Sequence, residues 1–239
     1  MICNLLNVIY PRRCPICTDI VTPKGEKICK ECINSLVYIQ EPRCKKCSKP
    51  IEHEDHEYCG DCNKNKLSYQ YGFALWSYNL SISQSISDYK NKGKKEYADF
   101  YIEELVRCYG DKIKRLEIDA LVPVPLHKSR QNYRGYNQSE IIAKGLGKAL
   151  NIVSIPKLLI RNKKTLRQKD LNDKERLENI QKAFVINKEV LLKYKNINKV
   201  MLVDDIYTTG STIDACSKVL LSNKIEEVYF VTLSIGQGY

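Results

Sequence analysis

Beyond residue 66 the chain alternates short apolar runs with segments whose apolar residues recur every three or four positions. Residues 69–78, 118–124, 200–203 and 228–233 read as strands, and 81–90, 97–109, 137–150 and 211–221 as helices. In the segment 137–150 the helical period is carried by Ile141, Ile142, Leu146 and Leu150. Strands taking turns with helices predict an α/β domain built on a mainly parallel sheet flanked by helices. The polar stretch 161–181 carries neither period, and such stretches inside a compact domain are usually lids or binding loops.

Upstream the pattern is different. Few apolar residues are available to build a core, and eight of the chain's eleven cysteines fall between Cys14 and Cys62. They form four C-x-x-C pairs, Cys14 and Cys17, Cys29 and Cys32, Cys44 and Cys47, Cys59 and Cys62, whose first members recur every fifteen residues. A segment with so little core needs a staple. The opening MICNLLNVIY lacks a charged start and a long apolar run, and Pro11 and Arg12 end it early. A short packed helix is expected there rather than a signal or membrane span, and the expected location is cytoplasmic.

In a reducing compartment such pairs are metal ligands or redox sites rather than structural bridges. Each pair makes a knuckle, and two knuckles make a closed four-thiolate site of the structural kind, so two zinc ions are expected. Sequential and crossed pairing both fit the even spacing. Sequential pairing closes only an eleven-residue loop in each half and is favoured. His53 and His56 read as surface residues, and Cys3, Cys108 and Cys216 are assigned no chemistry. The expected organisation is a double zinc-ribbon module over 1–66 and an α/β domain over 67–239.

The 239 residues carry a formal charge of +11, unevenly placed. Residues 157–199 hold 13 Lys and Arg against 5 Asp and Glu, a net +8. A field so concentrated favours a polyanion, either a phosphorylated small molecule or nucleic acid, although a solvated lysine-rich surface accounts for it equally well. Lys163, Lys164, Arg167 and Lys169 lie close enough to neutralise adjacent phosphates of single-stranded DNA, which is expected to bind weakly and without sequence preference.

The most informative window is KVMLVDDIYTTGST from Lys199 to Thr212. A buried-strand run ends in two carboxylates, Asp204 and Asp205, where ligands sit in open α/β sheets. Thr208, Thr209, Gly210, Ser211 and Thr212 then supply hydroxyls, a glycine turn and a helix start, which together suit a phosphate. Carboxylates beside a phosphate cradle need something else to face, such as sugar hydroxyls or a cation. A ribose phosphate satisfies both halves.

These residues resemble the signature of type I phosphoribosyltransferases and, more closely, the ComF family of competence-associated proteins. The resemblance extends over the cysteine pairs, over ALVPVPLHKSRQNYRGYNQS from Ala120 to Ser139, and over Arg161, Thr165, Gln168, Leu171, Arg176, Asn179 and Phe184. It implies that Asp204 and Asp205 contact ribose hydroxyls and that residues 208–212 hold the 5′-phosphate of phosphoribosyl pyrophosphate. It also implies that Val122, Pro123, Val124, Pro125 and Leu126 form the loop that meets pyrophosphate, with magnesium neutralising that group. Lys128, Arg130 and Arg134 are candidate pyrophosphate or acceptor contacts, and Arg161, Gln168 and Arg176 are candidate contacts from a closing hood. A bulky side chain at Gly210 is expected to block the approach of phosphate.

Three functions compete. A ComF-like protein would handle incoming DNA, with competence-machinery proteins as partners, while binding phosphoribosyl pyrophosphate. A true phosphoribosyltransferase would displace pyrophosphate with an acceptor that no second motif names. An inactive sensor would bind without turnover, since function resides in the acceptor site. Tyr133, Tyr136, Tyr207 and Trp76 lie near the motifs, as base-stacking surfaces or as ordinary packing residues.

Overall fold

The computed structural model describes residues 11–162, 183–194 and 196–236. The expected amino-terminal helix, Cys3, the four clustered cations from Lys163 to Lys169, and the hood residues Thr165, Gln168, Leu171, Arg176 and Asn179 lie outside them. Short helices α1 (Lys30–Asn34) and α2 (Gly60–Lys64) belong to the cysteine-rich module. Then follow β1 (Gly72–Ser77), α3 (Leu80–Asn91), α4 (Tyr97–Arg115), β2 (Ala120–Pro123), α5 (Lys128–Arg134), α6 (Gln138–Leu150) and β3 (Val153–Ser154). The chain closes with β4 (Leu159–Arg161), β5 (Phe184–Ile186), α7 (Lys188–Leu191), β6 (Lys199–Tyr207), α8 (Ser211–Leu221) and β7 (Glu227–Ile235).

Five strands form one parallel sheet in the order β1-β7-β6-β2-β3. This is the α/β architecture the alternation predicts. A separate antiparallel pair, β4 with β5, flanks the polar stretch. Strand β6 runs four residues past the expected end at Val203, because β7 is as long and keeps pairing with it to Tyr207 opposite Ile235. Asp204 and Asp205 therefore sit inside the strand, with alternate side chains on opposite faces.

The two faces make two cores. Met201 and Val203 pack with helices α3, α4 and α6, where Tyr97, Tyr101, Leu105, Tyr109 and Ile113 form an i, i+4 stripe along α4. Val200 and Leu202 pack with α8 through Ile213, Cys216 and Leu220. Cys216 is a buried residue of this apolar core and Cys108 is half-buried, consistent with packing roles.

The cysteine module seals an edge of the sheet. Tyr38 bridges antiparallel to Trp76, and the Ile39 amide donates to the Leu75 carbonyl at 3.0 Å, so β1 is not left as a free edge. The Tyr38 hydroxyl also donates to the buried Glu104 carboxylate, which Arg107 clasps with two guanidinium nitrogens. Among the described residues no helix is long and apolar enough to cross a membrane.

Candidate functional site

The four cysteine pairs are not equivalent, and the repeat has a period of thirty rather than fifteen. Cys14 and Cys44 each accept a backbone N–H two residues on, from Ile16 and Lys46, at 3.4 Å. Each turn then closes through a residue in the left-handed region, Thr18 at φ 66° and Ser48 at φ 65°. Cys29 and Cys59 instead stand at the N-caps of α1 and α2. Each half thus joins one tight knuckle to one helical knuckle. Cys14, Cys17, Cys29 and Cys32 converge in one cluster and Cys44, Cys47, Cys59 and Cys62 in another, with ligand atoms within 4.8 Å of one another. Pairing is sequential.

The donor set fits zinc. Sulfur separations of 3.9 Å between Cys17 and Cys29 and 3.6 Å between Cys47 and Cys59 are near the roughly 3.8 Å edge of a tetrahedron with Zn–S bonds of about 2.3 Å. Four thiols this close cannot all ionise without a cation: the hydrogen bond with Cys44 pushes the Cys47 thiol far up, while that with Cys47 pulls Cys44 down. His53 and His56 are exposed and stack edge to face with each other, at 5.6 Å.

At the carboxyl end of β6 the two carboxylates have unlike surroundings. Asp205 is 4% exposed; it pairs with the Lys90 ammonium at 2.8 Å and accepts the Gln138 amide at 2.8 Å. Asp204 is partly exposed and accepts the Ser139 hydroxyl at 3.0 Å and the Asp205 backbone N–H at 2.9 Å. Burial, and then the charge of Asp205, push the Asp204 carboxyl up to about 7. Asp205 is closed off by Lys90 and Gln138, whereas Asp204 keeps part of its surface exposed.

Beside them, Pro123 ends β2 and pairs in register with Val203, and the Val124 N–H donates to the Val203 carbonyl at 2.9 Å. Strand alternation turns the Pro123 nitrogen to the other side, where pairing with β3 has already stopped at Leu121, so its missing donor breaks no ladder bond. The Asn137 amide donates to the Val124 carbonyl at 3.0 Å and fixes the loop, while its side-chain oxygen caps α6. A cavity of about 280 Å³ brings Pro125, Leu126 and Lys128 against Lys157 and Arg161. Arg161 lies over the Phe184 ring at 5.3 Å; burial, and then the nearby positive Arg130, lower its pKa. Arg134 is half-buried and donates to the side-chain Oε1 of Gln138 at 3.1 Å. An anion in this cavity would meet the Arg161 guanidinium and the Lys128 and Lys157 ammonium groups, with the Glu140 carboxylate also in the lining.

The turn after β6 exposes Thr208 and Thr209, buries Gly210, and opens α8 at Ser211. It lies outside the lining of that cavity. Gly210 has φ 78°, and an added Cβ would overlap the hydroxyl of Tyr207. A side chain at 210 therefore disrupts the protein before it obstructs any ligand, so the Gly210 substitution does not report on phosphate alone. Of the four aromatic residues near the motifs, Trp76, Tyr136 and Tyr207 are buried in the cores and only Tyr133, at 85% exposure, is open for stacking.

Sequence reasoning missed Lys90, Ser139 and Gln138 as partners of the acids. Gln138 and Ser139 lie in the RGYNQS run without a recognisable role, and Lys90 ends the helix expected over 81–90 with no motif to mark it.

A family model described as a double zinc ribbon domain matches residues 5–63. The chain is 31% identical over 176 residues to competence protein F of Haemophilus influenzae, covering 72% of this chain and 76% of that protein. It is 27% identical to competence protein ComFC of Bacillus subtilis, over 68% of this chain and 65% of that one. It is also 27% identical to DNA utilization protein YhgH of Escherichia coli, over 69% and 72%.

Proposed function

The chain belongs to the ComF family of competence proteins, and we propose that it binds phosphoribosyl pyrophosphate at the carboxyl end of β6 while working in the uptake and handling of DNA. The observation that carries the reading is the meeting, at one end of the central strand, of Asp204 with an exposed hydroxyl-rich turn that opens α8. Sugar hydroxyls would donate to Asp204, and the first N–H groups of α8 with the hydroxyls of Thr208, Thr209, Ser211 and Thr212 would take the 5′-phosphate. The neighbouring 122–126 loop, with Lys128, Arg130, Arg134 and Arg161, would take pyrophosphate. Magnesium bound to that pyrophosphate would supply neutralisation of its charge.

The names of the relatives, two competence proteins and a DNA utilization protein, support the DNA role, and the basic segment 157–199 supports single-stranded DNA as the partner. Competence-machinery proteins are the corresponding protein partners, and the cytoplasm is the location this work requires. The cavity of about 280 Å³ beside Pro125 and Arg161 favours a second reading, an active transferase, because the pyrophosphate leaving group has room there. In that case the acceptor attacks the anomeric carbon, the bond to pyrophosphate breaks with its electron pair leaving on the pyrophosphate oxygen, and the acceptor's proton passes to solvent.

Calorimetry with phosphoribosyl pyrophosphate and magnesium tests the site. Wild type should bind, and Asn at both Asp204 and Asp205 should abolish binding. Asp204→Asn alone should cost about tenfold or more, the worth of a hydrogen bond to a charged group. Unchanged affinity in the double variant would refute the assignment.

A further inference from the structure

The second ribbon reaches the turn assigned above to phosphate through two tyrosines. Tyr207, the last residue of β6, is 2% exposed and lies flat on Phe230, with ring centres 5.0 Å apart and planes 8° apart. Tyr69 meets Tyr207 edge-on, and their hydroxyls are hydrogen-bonded at 2.7 Å. On its other side Tyr69 is covered by the ribbon: the Lys46 ammonium lies 5.3 Å from its ring centre. Lys46 belongs to the knuckle between Cys44 and Cys47, and its carbonyl accepts the Gly72 N–H at 3.0 Å while Ser48 donates to the Gly72 carbonyl at 2.5 Å. Cys44, Cys47 and Cys59 share one apolar cluster with Tyr69, Tyr207 and Phe230. At the far end, the Tyr207 hydroxyl occupies the space a Cβ on Gly210 would need, directly beneath the left-handed residue that aims the first N–H groups of α8.

We infer that the second ribbon is part of the ligand site, and that Tyr69 and Tyr207 are positioning residues through which its knuckle fixes the turn at 208–212 for phosphate. The inference rests on the reading of that turn as the phosphate cradle. Binding to a rigid turn avoids the cost of ordering it, so the gain comes from a fixed direction of the N–H groups rather than from contact with ligand. Burial raises both phenols well above their usual range, so the hydroxyl pair persists as neutral donor and acceptor. The first ribbon provides an internal control. Cys29 and Cys59 occupy equivalent places, each 8% exposed, but the first ribbon packs with Tyr97, Phe100 and Tyr101 on the opposite face of the sheet.

Hydrogen exchange on the unliganded full-length protein, followed in peptides spanning 207–213, tests the coupling, and calorimetry with phosphoribosyl pyrophosphate tests its consequence. Cys59→Ser should accelerate exchange in 207–213 and weaken binding by roughly tenfold, whereas Cys29→Ser, which also removes one metal site, should change neither. Tyr207→Phe retains the ring stack and both metal sites but loses the hydroxyl contact. It should raise exchange in the same peptides alone and weaken binding by about threefold to tenfold. Exchange in 207–213 that matches wild type in both Cys59→Ser and Tyr207→Phe would overturn the inference, as would equal acceleration by Cys29→Ser. Accelerated exchange in a protein whose wild type binds no phosphoribosyl pyrophosphate would instead remove the ligand reading and leave the mechanical link standing.

Discussion

The two faces of the sheet hold nearly the same parts in different settings. Each has a ribbon of identical spacing, with the same knuckle closed by a left-handed residue, Thr18 or Ser48, and each receives one of two adjacent carboxylates from β6. On the face of α3, α4 and α6 the first ribbon leaves Cys17 exposed, and Asp205 is closed off by Lys90 and Gln138. On the face of α8 the second ribbon buries Cys44, Cys47 and Cys59, and its core continues into Tyr69 and Tyr207. The motif sets the local geometry, and the surface each copy packs on decides what that geometry can influence.

The largest effect that could break this comparison is metal loss, since the apparent binding energy of a structural zinc is about 10–16 kcal/mol and is also folding energy. Metal analysis should find two zinc ions per chain, and one after Cys14→Ser or Cys44→Ser. A chelator with a colorimetric readout should remove zinc in two phases, with the faster phase abolished by Cys14→Ser because the first ribbon has the exposed sulfur. A single phase, or loss of the fast phase in Cys44→Ser, would show that the docking surfaces do not distinguish the ribbons.

A smaller effect concerns the closed carboxylate. The Asp205 side chain is 6% exposed and that of Lys90 19%, so Lys90→Met leaves a buried charge uncompensated. Breaking such a pair typically costs about 3–5 kcal/mol, a fall in Tm of about 10 °C or more for a chain of this size. Adding Asp205→Asn to Lys90→Met should recover much of the loss, because the orphaned charge is gone. Thermal unfolding of the two variants decides the matter: a fall of under 2 °C in Lys90→Met would mean that Asp205 is not closed by this lysine.

This difference between faces also marks what the sequence could reveal. Strand and helix periods locate the α/β sheet, and the C-x-x-C spacing locates both metal clusters, because each signal is local and repeats along the chain. Strand β6 extends past Val203, where the local pattern ends it, because pairing with β7, a long-range property, carries the strand through the polar Asp204 and Asp205. The thirty-residue period was hidden because a tight knuckle and a helical knuckle share one cysteine spacing. Lys90 and Asp205 lie 115 residues apart in the sequence, as do other partners that only the fold brings together, so no motif flags the lysine. Tyr69 reads only as the start of a strand and Tyr207 only as a base-stacking or packing residue until their hydroxyls are seen to meet.

The smallest effect separates the two acids by their protons. Asp204, pushed up to about 7 from an ordinary value of 3.8, holds a proton in the folded protein over a pH range where the unfolded chain has released it. Folding then takes up a proton between those two values, and stability from this group falls as pH rises from 4 toward 7 and stays low above it. Asp204→Asn imitates the protonated carboxyl at every pH. At pH 8 the variant should therefore unfold at a higher temperature than wild type, by about 2–4 °C if roughly 1 kcal/mol of the penalty survives solvent screening. The two should converge as the pH is lowered toward 5. Using the difference between the two proteins removes the common loss of zinc-thiolate stability in acid, which affects both alike. Asp205→Asn should behave in the opposite way, losing stability at pH 8 because it leaves the Lys90 ammonium without its partner. If both Asn variants destabilise equally at pH 8, the two carboxylates share one environment and the distinction between the open and the closed acid fails.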